Sequence, residues 1–266
     1  MWALVSAIVK ESPMPVLAGA EPFTFDGGPT GILLVHGFTG TPQSLRPWGA
    51  YLAKHGYTIR CPRLPGHGTV LSDMNATRWP DWYGAVERAF EELRARCPQV
   101  FVAGLSMGGT LAIRLAEQHG EHLRGLVLVN PSLGTERKDI AAVKILARVL
   151  PSWKGVSNDI KKPGARELAY GRVPLKAAVS LQELWVTTAA DLAKVDVPIL
   201  TFRSTEDHVV EPLSGRLLLE GVQSTDVTER LLDNSYHVAT LDNDADEIFT
   251  ESAKWIASHA DPQGVS

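Results

Sequence analysis

The chain has 266 residues, 44% of them hydrophobic and 21% charged, with a formal net charge of -4. That balance fits one globular domain with a sizeable core and, lacking a basic block, argues against nucleic acid as a partner. No run of about 18 or more apolar residues occurs, which argues against integral membrane association.

The opening "MWALVSAIVKESPMP" is apolar but short. It has no basic leading segment and no small-residue cleavage site, so it does not read as a secretory leader. We take residues 1–13 as an extension, helical or disordered, ahead of a domain over 14–260 and a tail over 261–266. "TGILLVHG" (30–37) is a continuous apolar run closing on glycine, as a strand buried on both faces should be. A helix follows over 42–56, with Leu45, Trp48 and Leu52 at helical spacing and Gly56 as its stop. "YTIRCP" is a second strand, and 79–97 a helix with Tyr83, Val86, Phe90 and Leu93 on one face. "QVFVAG" (99–104) is a third strand, 107–120 a helix, and "LRGLVLVNP" (123–131) a fourth strand. Such alternation predicts an α/β fold: a mostly parallel central sheet flanked by helices, with its ligand site at the carboxyl ends of the strands.

The rhythm stops between Pro131 and Val197, where no buried strand is read. Two helical patterns, 139–153 and 174–192, predict a helical insertion over about 131–196. Alternation resumes with "VPILTFRS" (197–204), a helix from Leu213, the strand "DVTERLL" (226–232) and a last helix from about Asp244 to His259. The two cysteines, Cys61 and Cys97, make no disulfide framework. They read as unpaired buried thiols in a reducing cytoplasm.

One stretch departs from plain packing. "GLSMGG" fits G-x-S-x-G at Gly104, Ser106 and Gly108, between a buried strand and a helix. On such a turn the serine is strained, and glycines two before and two after keep side chains from colliding. The hydroxyl of Ser106 is pushed above the sheet, and the N–H of Met107 points at whatever the serine attacks. The competing reading is a tight packing turn with an incidental serine.

A serine nucleophile needs a base, and the base an orienting acid, in the chain order Ser, Asp or Glu, His. Of eight histidines, only His208 and His237 follow Ser106 near a strand end. His237, in "NSYHVATLD", follows the last strand, where a loop can hang an imidazole over the serine. The acid should end the preceding strand, in "STEDHVVEP", which offers Asp207 and Glu206; Asp207 is favoured and Glu206 is second. His208 then reads as packing or solvent-facing. The second oxyanion donor should come from "HGFTG", with the N–H of Phe38 as the candidate beside that of Met107. His67, in "RLPGHGT", reads as structural, and Lys161 with Lys162 as solvated.

These stretches, together with "GILLVHGFTGTPQSLRP", "CPRLPGHGT" and "RELAY", resemble the α/β-hydrolase family, and closely its bacterial monoacylglycerol lipases and small carboxylesterases. The likeness runs from about Pro15 to His259. It implies Ser106 as nucleophile, Asp207 as acid, His237 as base, Phe38 and Met107 as oxyanion donors, and the insertion as a cap. The function expected is a serine esterase acting through an acyl-enzyme on monoacylglycerols of short-to-medium chain. A general carboxylesterase or thioesterase is the alternative, and a non-catalytic lipid-binding protein a remote one. No cofactor and no metal is expected, and a small-molecule ester or lipid is the expected partner; a homodimer is left open. Within the insertion, Ile145, Leu146 and Trp153, with Val149, Leu150 and Trp185, could line an acyl tunnel, although each is first of all cap core. Glu167 is expected to accept hydrogen bonds from glycerol, against the plainer reading of a surface helix charge.

Overall fold

The computed structural model describes residues 15–137 and 140–260; the extension at 1–13 and the tail at 261–266 lie outside the described residues. Among the described residues, β1 (Phe23–Phe25), β2 (Thr30–Val35), β3 (Thr58–Cys61), β4 (Gln99–Leu105), β5 (Gly125–Val129), β8 (Ile199–Ser204) and β9 (Val227–Leu232) form one seven-stranded sheet. Their order across it is β1-β3-β2-β4-β5-β8-β9. All pairings are parallel except that of β1 with β3. Within the insertion, β6 (Ser152–Trp153) and β7 (Val173–Pro174) form a two-residue antiparallel pair.

The apolar runs explain the layers. Along β4, Val100 and Val102 enter one core, while Phe101, Ala103 and Leu105 enter the other. Along β2, Leu33 and Val35 part from Ile32 and Leu34 in the same way, which is the period of two that a strand imposes. The first core is closed by α3 (Trp79–Arg94), α4 (Met107–His119) and α6 (Leu175–Asp191), and the second by α1 (Arg46–Lys54) and α8 (Ala245–His259). Helix α1 ends as the sequence predicts: Gly56 takes φ +87°, and its N–H reaches the Ala53 carbonyl. Helix α7 (Leu213–Gly221) links β8 to β9.

From β2 the chain passes to β3 on one side, then crosses to β4 on the other. The tips of β2 and β4 therefore flank the switch in strand order, where such sheets open a crevice.

Three elements escape the sequence reading. Strand β1 is three residues at an edge, too short to show a pattern. Helix α2 (Leu71–Ala76) buries only Met74. Its Asn75 nevertheless serves α6: Oδ1 accepts the N–H groups of Lys176 and Ala177, donors that a helix N-terminus leaves unpaired, and Nδ2 donates to the Pro151 carbonyl. Third, the helix expected over 139–153 is only α5 (Ile140–Leu146); Pro151 separates it from β6, which pairs with β7.

The rest of the insertion, residues 158–170, has no regular structure. At one end it bonds to the loop before α8; at the other, Leu168 and Tyr170 bond to the loop after β2. Gln43 bridges to the Arg166 carbonyl (3.1 Å) and the Leu168 N–H (2.9 Å), Thr41 to the Leu168 carbonyl (3.0 Å), and Tyr170 N–H to the Thr39 carbonyl (3.1 Å).

Candidate active site

Ser106 joins β4 to α4 with φ 56° and ψ -120°, a conformation that side chains rarely adopt. The glycines around it are required by contact. A Cβ on Gly104 would strike the Gly108 carbonyl, and one on Gly108 would strike the Val35 carbonyl. The turn is also held from below: Ser106 N–H donates to the Val129 carbonyl at 2.9 Å, and the Ser106 carbonyl accepts from Gly109 and Thr110. Ser106 is 8% exposed, at the centre of the sheet.

The "HGFTG" loop lies against the serine: a Cβ on Gly37 would stand 3.4 Å from the Ser106 Cβ. Thr39 holds φ 63°, which turns the loop tightly. His36 supports it from the core. Its Nε2 accepts the Leu64 N–H at 3.1 Å, so Nδ1 carries the proton and donates to the Gly37 carbonyl. Burial holds His36 well below the usual imidazole range, and His67, packed edge-on at 5.1 Å, is pushed down to about 4. Both are therefore neutral supports. The Phe38 ring packs edge-on against Trp82 at 5.9 Å. Met107 opens α4, where an N–H has no acceptor one turn back.

Across the site, His237 Nδ1 lies 2.8 Å from Asp207 Oδ2. The other Asp207 oxygen accepts the N–H groups of Val209 and Val210, both at 2.8 Å. Burial opposes the Asp207 charge. The His237 charge and ring hydrogen bond, with those two amides, outweigh it and hold the carboxyl below the ordinary range. For His237, burial again opposes charge, and Asp207, then Glu167 and Asp159, reverse it, leaving the ring above its usual range. Of the two carboxylates the sequence offered, Asp207 makes this contact. Glu206 faces outward, 3.5 Å from Lys161 Nζ. The Ser106 hydroxyl makes no direct hydrogen bond to His237 here; such bonds are often loose until substrate is present.

Glu167 lies in the irregular segment, not on a helix. Its N–H donates to Asn158 Oδ1 at 2.7 Å. The residue is half-buried with its carboxyl turned inward: a Cβ on Gly40 would lie 2.5 Å from Glu167 Oε1. Burial pushes that carboxyl up to about 7, against the pull of His237. The other insertion residues differ from expectation. Ile145 is 67% exposed, Val149 75% and Trp153 52%, and Leu146 is half-buried. Ile145, Val149 and Trp153 are therefore not cap core, Ile145 pointing outward from within α5 itself, whereas Trp185 on α6 is half-buried and packs against the first core. Lys161 is not simply solvated, since its ammonium also stands 5.3 Å over the Tyr236 ring.

Two supports were not read from sequence. Asn130, at φ 44° after β5, donates to the His237 carbonyl (2.8 Å) and to Ser204 Oγ (3.0 Å), and accepts the Ser204 N–H (2.8 Å). An Asn–Pro pair after a buried strand marks a turn, and that was the available signal. Asp159 accepts the His237 main-chain N–H at 3.2 Å. It sits in a polar turn, "SNDIKK", that has no periodicity to single it out.

A serine on a strained strand-to-helix turn at the tips of a mostly parallel sheet, with an aspartate–histidine pair on later loops tied to the same strand ends through Asn130, has the form of an α/β-hydrolase. Residues 30–244 match the family described as serine aminopeptidase, S33 (Hydrolase_4), and the chain belongs to that family. It is thus a serine hydrolase. It is 44% identical over 247 residues to the thermostable monoacylglycerol lipase of Bacillus sp. (strain H-257), covering 92% of this chain and 98% of that protein. It is 27% identical over 244 residues to a carboxylesterase of Bacillus subtilis (strain 168), covering 88% of this chain and 98% of that one. Among solved structures, one from work on the metagenome-derived lipolytic enzymes LipS and LipT superposes with a TM-score of 0.89 at 40% identity, over 92% of this chain and all of that one. Among the described residues, no helix is long and apolar enough to cross a membrane.

Proposed function

We propose that this hydrolase cleaves carboxylic esters of small lipids through an acyl-enzyme, with monoacylglycerols of short-to-medium chain as its preferred substrates. In this reading the neutral His237 ring takes the Ser106 proton as Oγ attacks the ester carbonyl. The N–H groups of Phe38 and Met107 receive the oxyanion, and Asp207 stabilises the imidazolium. His237 then gives the proton to the departing glycerol oxygen. Water next enters, His237 takes its proton, and the hydroxide attacks the acyl carbon. The fatty acid leaves, and Ser106 recovers its proton from His237. Residues 131–196 act as the cap of a single domain, and the unpaired, buried Cys61 and Cys97 fit a cytoplasmic setting.

The observation that carries the substrate class is the Glu167 carboxyl, turned inward between Gly40 and His237. An inward carboxylate beside an ester site has little to offer an acyl chain, but it can accept hydrogen bonds from a polyol leaving group. The similarity to a monoacylglycerol lipase points the same way. A general carboxylesterase is the second reading, favoured by the exposure of Ile145 and Trp153, which leaves the acyl side open.

The test is kcat/KM for a chain-length series of 1-monoacylglycerols beside matched methyl and p-nitrophenyl esters, with Ser106→Ala as the blank. Monoacylglycerols should exceed methyl esters of equal length by about tenfold, or about 1.4 kcal/mol of transition-state binding. Glu167→Gln should raise KM for monoacylglycerols and leave p-nitrophenyl esters unchanged. Equal rates for all esters of one length would make the protein a carboxylesterase without glycerol selection.

A further inference from the structure

The insertion reaches the catalytic loops through one polar turn. Asn158 adopts φ 58° there, and Asp159 follows with its side chain nearly buried. Asp159 Oδ2 accepts two main-chain N–H groups, those of His237 and His208, both at 3.2 Å. Its Oδ1 lies 2.8 Å from His208 Nδ1, and its carbonyl accepts the Val238 N–H at 3.1 Å. His208 is the next residue after Asp207, and its ring stands edge-on, 4.7 Å from that of Tyr236, the residue before His237. A second aspartate–histidine pair therefore sits behind the first and grips the same two loops from the main-chain side.

The turn itself is anchored. Asp242 is 1% exposed, and its carboxylate accepts the N–H groups of Lys161 (2.7 Å), Lys162 (2.8 Å), Tyr236 (2.9 Å) and Asn243 (2.8 Å). It ties the insertion to the His237 loop one step further along both segments.

We propose that Asp159, delivered by the cap, acts with His208 as a positioning pair that holds the His237 imidazole in line with Asp207 and Ser106. The proposal rests on the reading of His237 as general base. Asp159 moves no proton in the reaction; it fixes the main chain from which the imidazole hangs. A carboxylate suits the task because its two oxygens can accept three N–H donors at once, whereas the isosteric amide has one acceptor oxygen. Its charge also favours the imidazolium that forms as Ser106 attacks. Charged groups face this pair from every side. Glu206 Oε1 lies 3.6 Å from His208 Nε2, Asp207 is its chain neighbour, and Lys161 pairs with Glu206. Glu167 acts on His237 from the cap. The Asp159 hydrogen bond and then its charge hold the His208 ring above the usual imidazole range.

The decisive experiment is p-nitrophenyl butyrate hydrolysis by the full chain across about pH 5 to 9, together with Tm. It compares wild type, Asp159→Asn, Asp159→Ala, His208→Ala, the Asp159→Ala/His208→Ala double variant and His237→Ala. Asp159→Asn, which keeps the shape if the alanine variant does not fold, should lower kcat by about tenfold or more, because small misplacements of a base are costly. KM should stay within about twofold, and the acid limb of kcat/KM should move to lower pH, because a negative charge beside His237 is gone. The double variant should be no slower than Asp159→Ala alone, as members of one unit are not additive. A kcat within about threefold of wild type, or any loss of kcat without a shift of the acid limb, overturns the positioning role. If His237→Ala keeps full activity, the base reading fails instead, and this proposal fails with it. If His237→Ala is inactive while Asp159→Asn matches wild type, only the positioning role falls.

Discussion

His237 is 6% exposed, and burial alone would strip its proton. Asp207, Glu167 and Asp159 reverse that balance and lift the ring above 6.5. The sign has two consequences. The folded state gains stability from the protonated ring at low pH and loses that gain as pH rises through the folded pKa. The proposed chemistry needs the neutral ring, so the acid limb of kcat/KM should lie above pH 6.5. Asp207→Asn should move that limb to lower pH while lowering kcat by about 10^3- to 10^4-fold, because the ring loses both its charge partner and its tautomer. A pH–rate profile of both proteins checks this. A wild-type limb well below pH 6.5 would mean that another group governs the rate.

At the level of elements, the β4–α4 turn is held open by absent side chains. Gly108 packs against the carbonyls of Val35 and His36, main-chain atoms that cannot swing aside. Gly108→Ala should therefore destabilise by about 3 kcal/mol, the upper end of what overpacking usually costs, and should lower kcat as β2 and α4 part. Gly171 is the control. An added Cβ there meets nothing within 4 Å, so Gly171→Ala should fall within about 0.5 kcal/mol of wild type. Urea denaturation measures both. Similar losses for the two would show that helix α4 approaches β2 less closely than described.

For the molecule as a whole, the insertion must be tied to the sheet while remaining a separate stretch of chain. One tie is ionic. Arg114 on α4 bridges Glu117 (2.7 Å) and, at 2.6 Å, Asp191 at the end of α6. It joins the helix behind Ser106 to the long helix of the insertion. The Glu117 side chain is fully buried and its Oε1 has no partner, so burial pushes the carboxyl up to about 7 despite Arg114. A carboxyl raised above its unfolded value of 4.5 binds more protons folded than unfolded, so stability falls as pH rises between 4.5 and about 7. Wild type should lose stability relative to Glu117→Gln across that window and run parallel to it above. Thermal unfolding of both proteins from about pH 4 to 8 would show it. A constant gap would mean that Glu117 titrates alike in the folded and unfolded chain.

The layers of the sheet, the turn at Ser106 and the partners Asp207 and His237 were legible in the chain itself, because each is encoded locally. Strands buried on both faces are apolar throughout, G-x-S-x-G must sit where a strand meets a helix, and strand order then points to the loops on which Asp207 and His237 meet. Choosing Asp207 over Glu206 from sequence rested on little more than the alternation of neighbours, and the Val209 and Val210 amides supply the reason. What depends on distant segments could not be read. Asn75 satisfies α6 from a short helix that buries one side chain, and Ile145 points outward although it lies within α5. Asp159 and Asp242 gain their roles only when an unpatterned turn of the insertion meets the loop of His237, 78 residues from Asp159 along the chain. Hydrophobic periodicity reports burial against a core; the pairing of a buried carboxylate with remote amides leaves no period, so folding in three dimensions alone settles it.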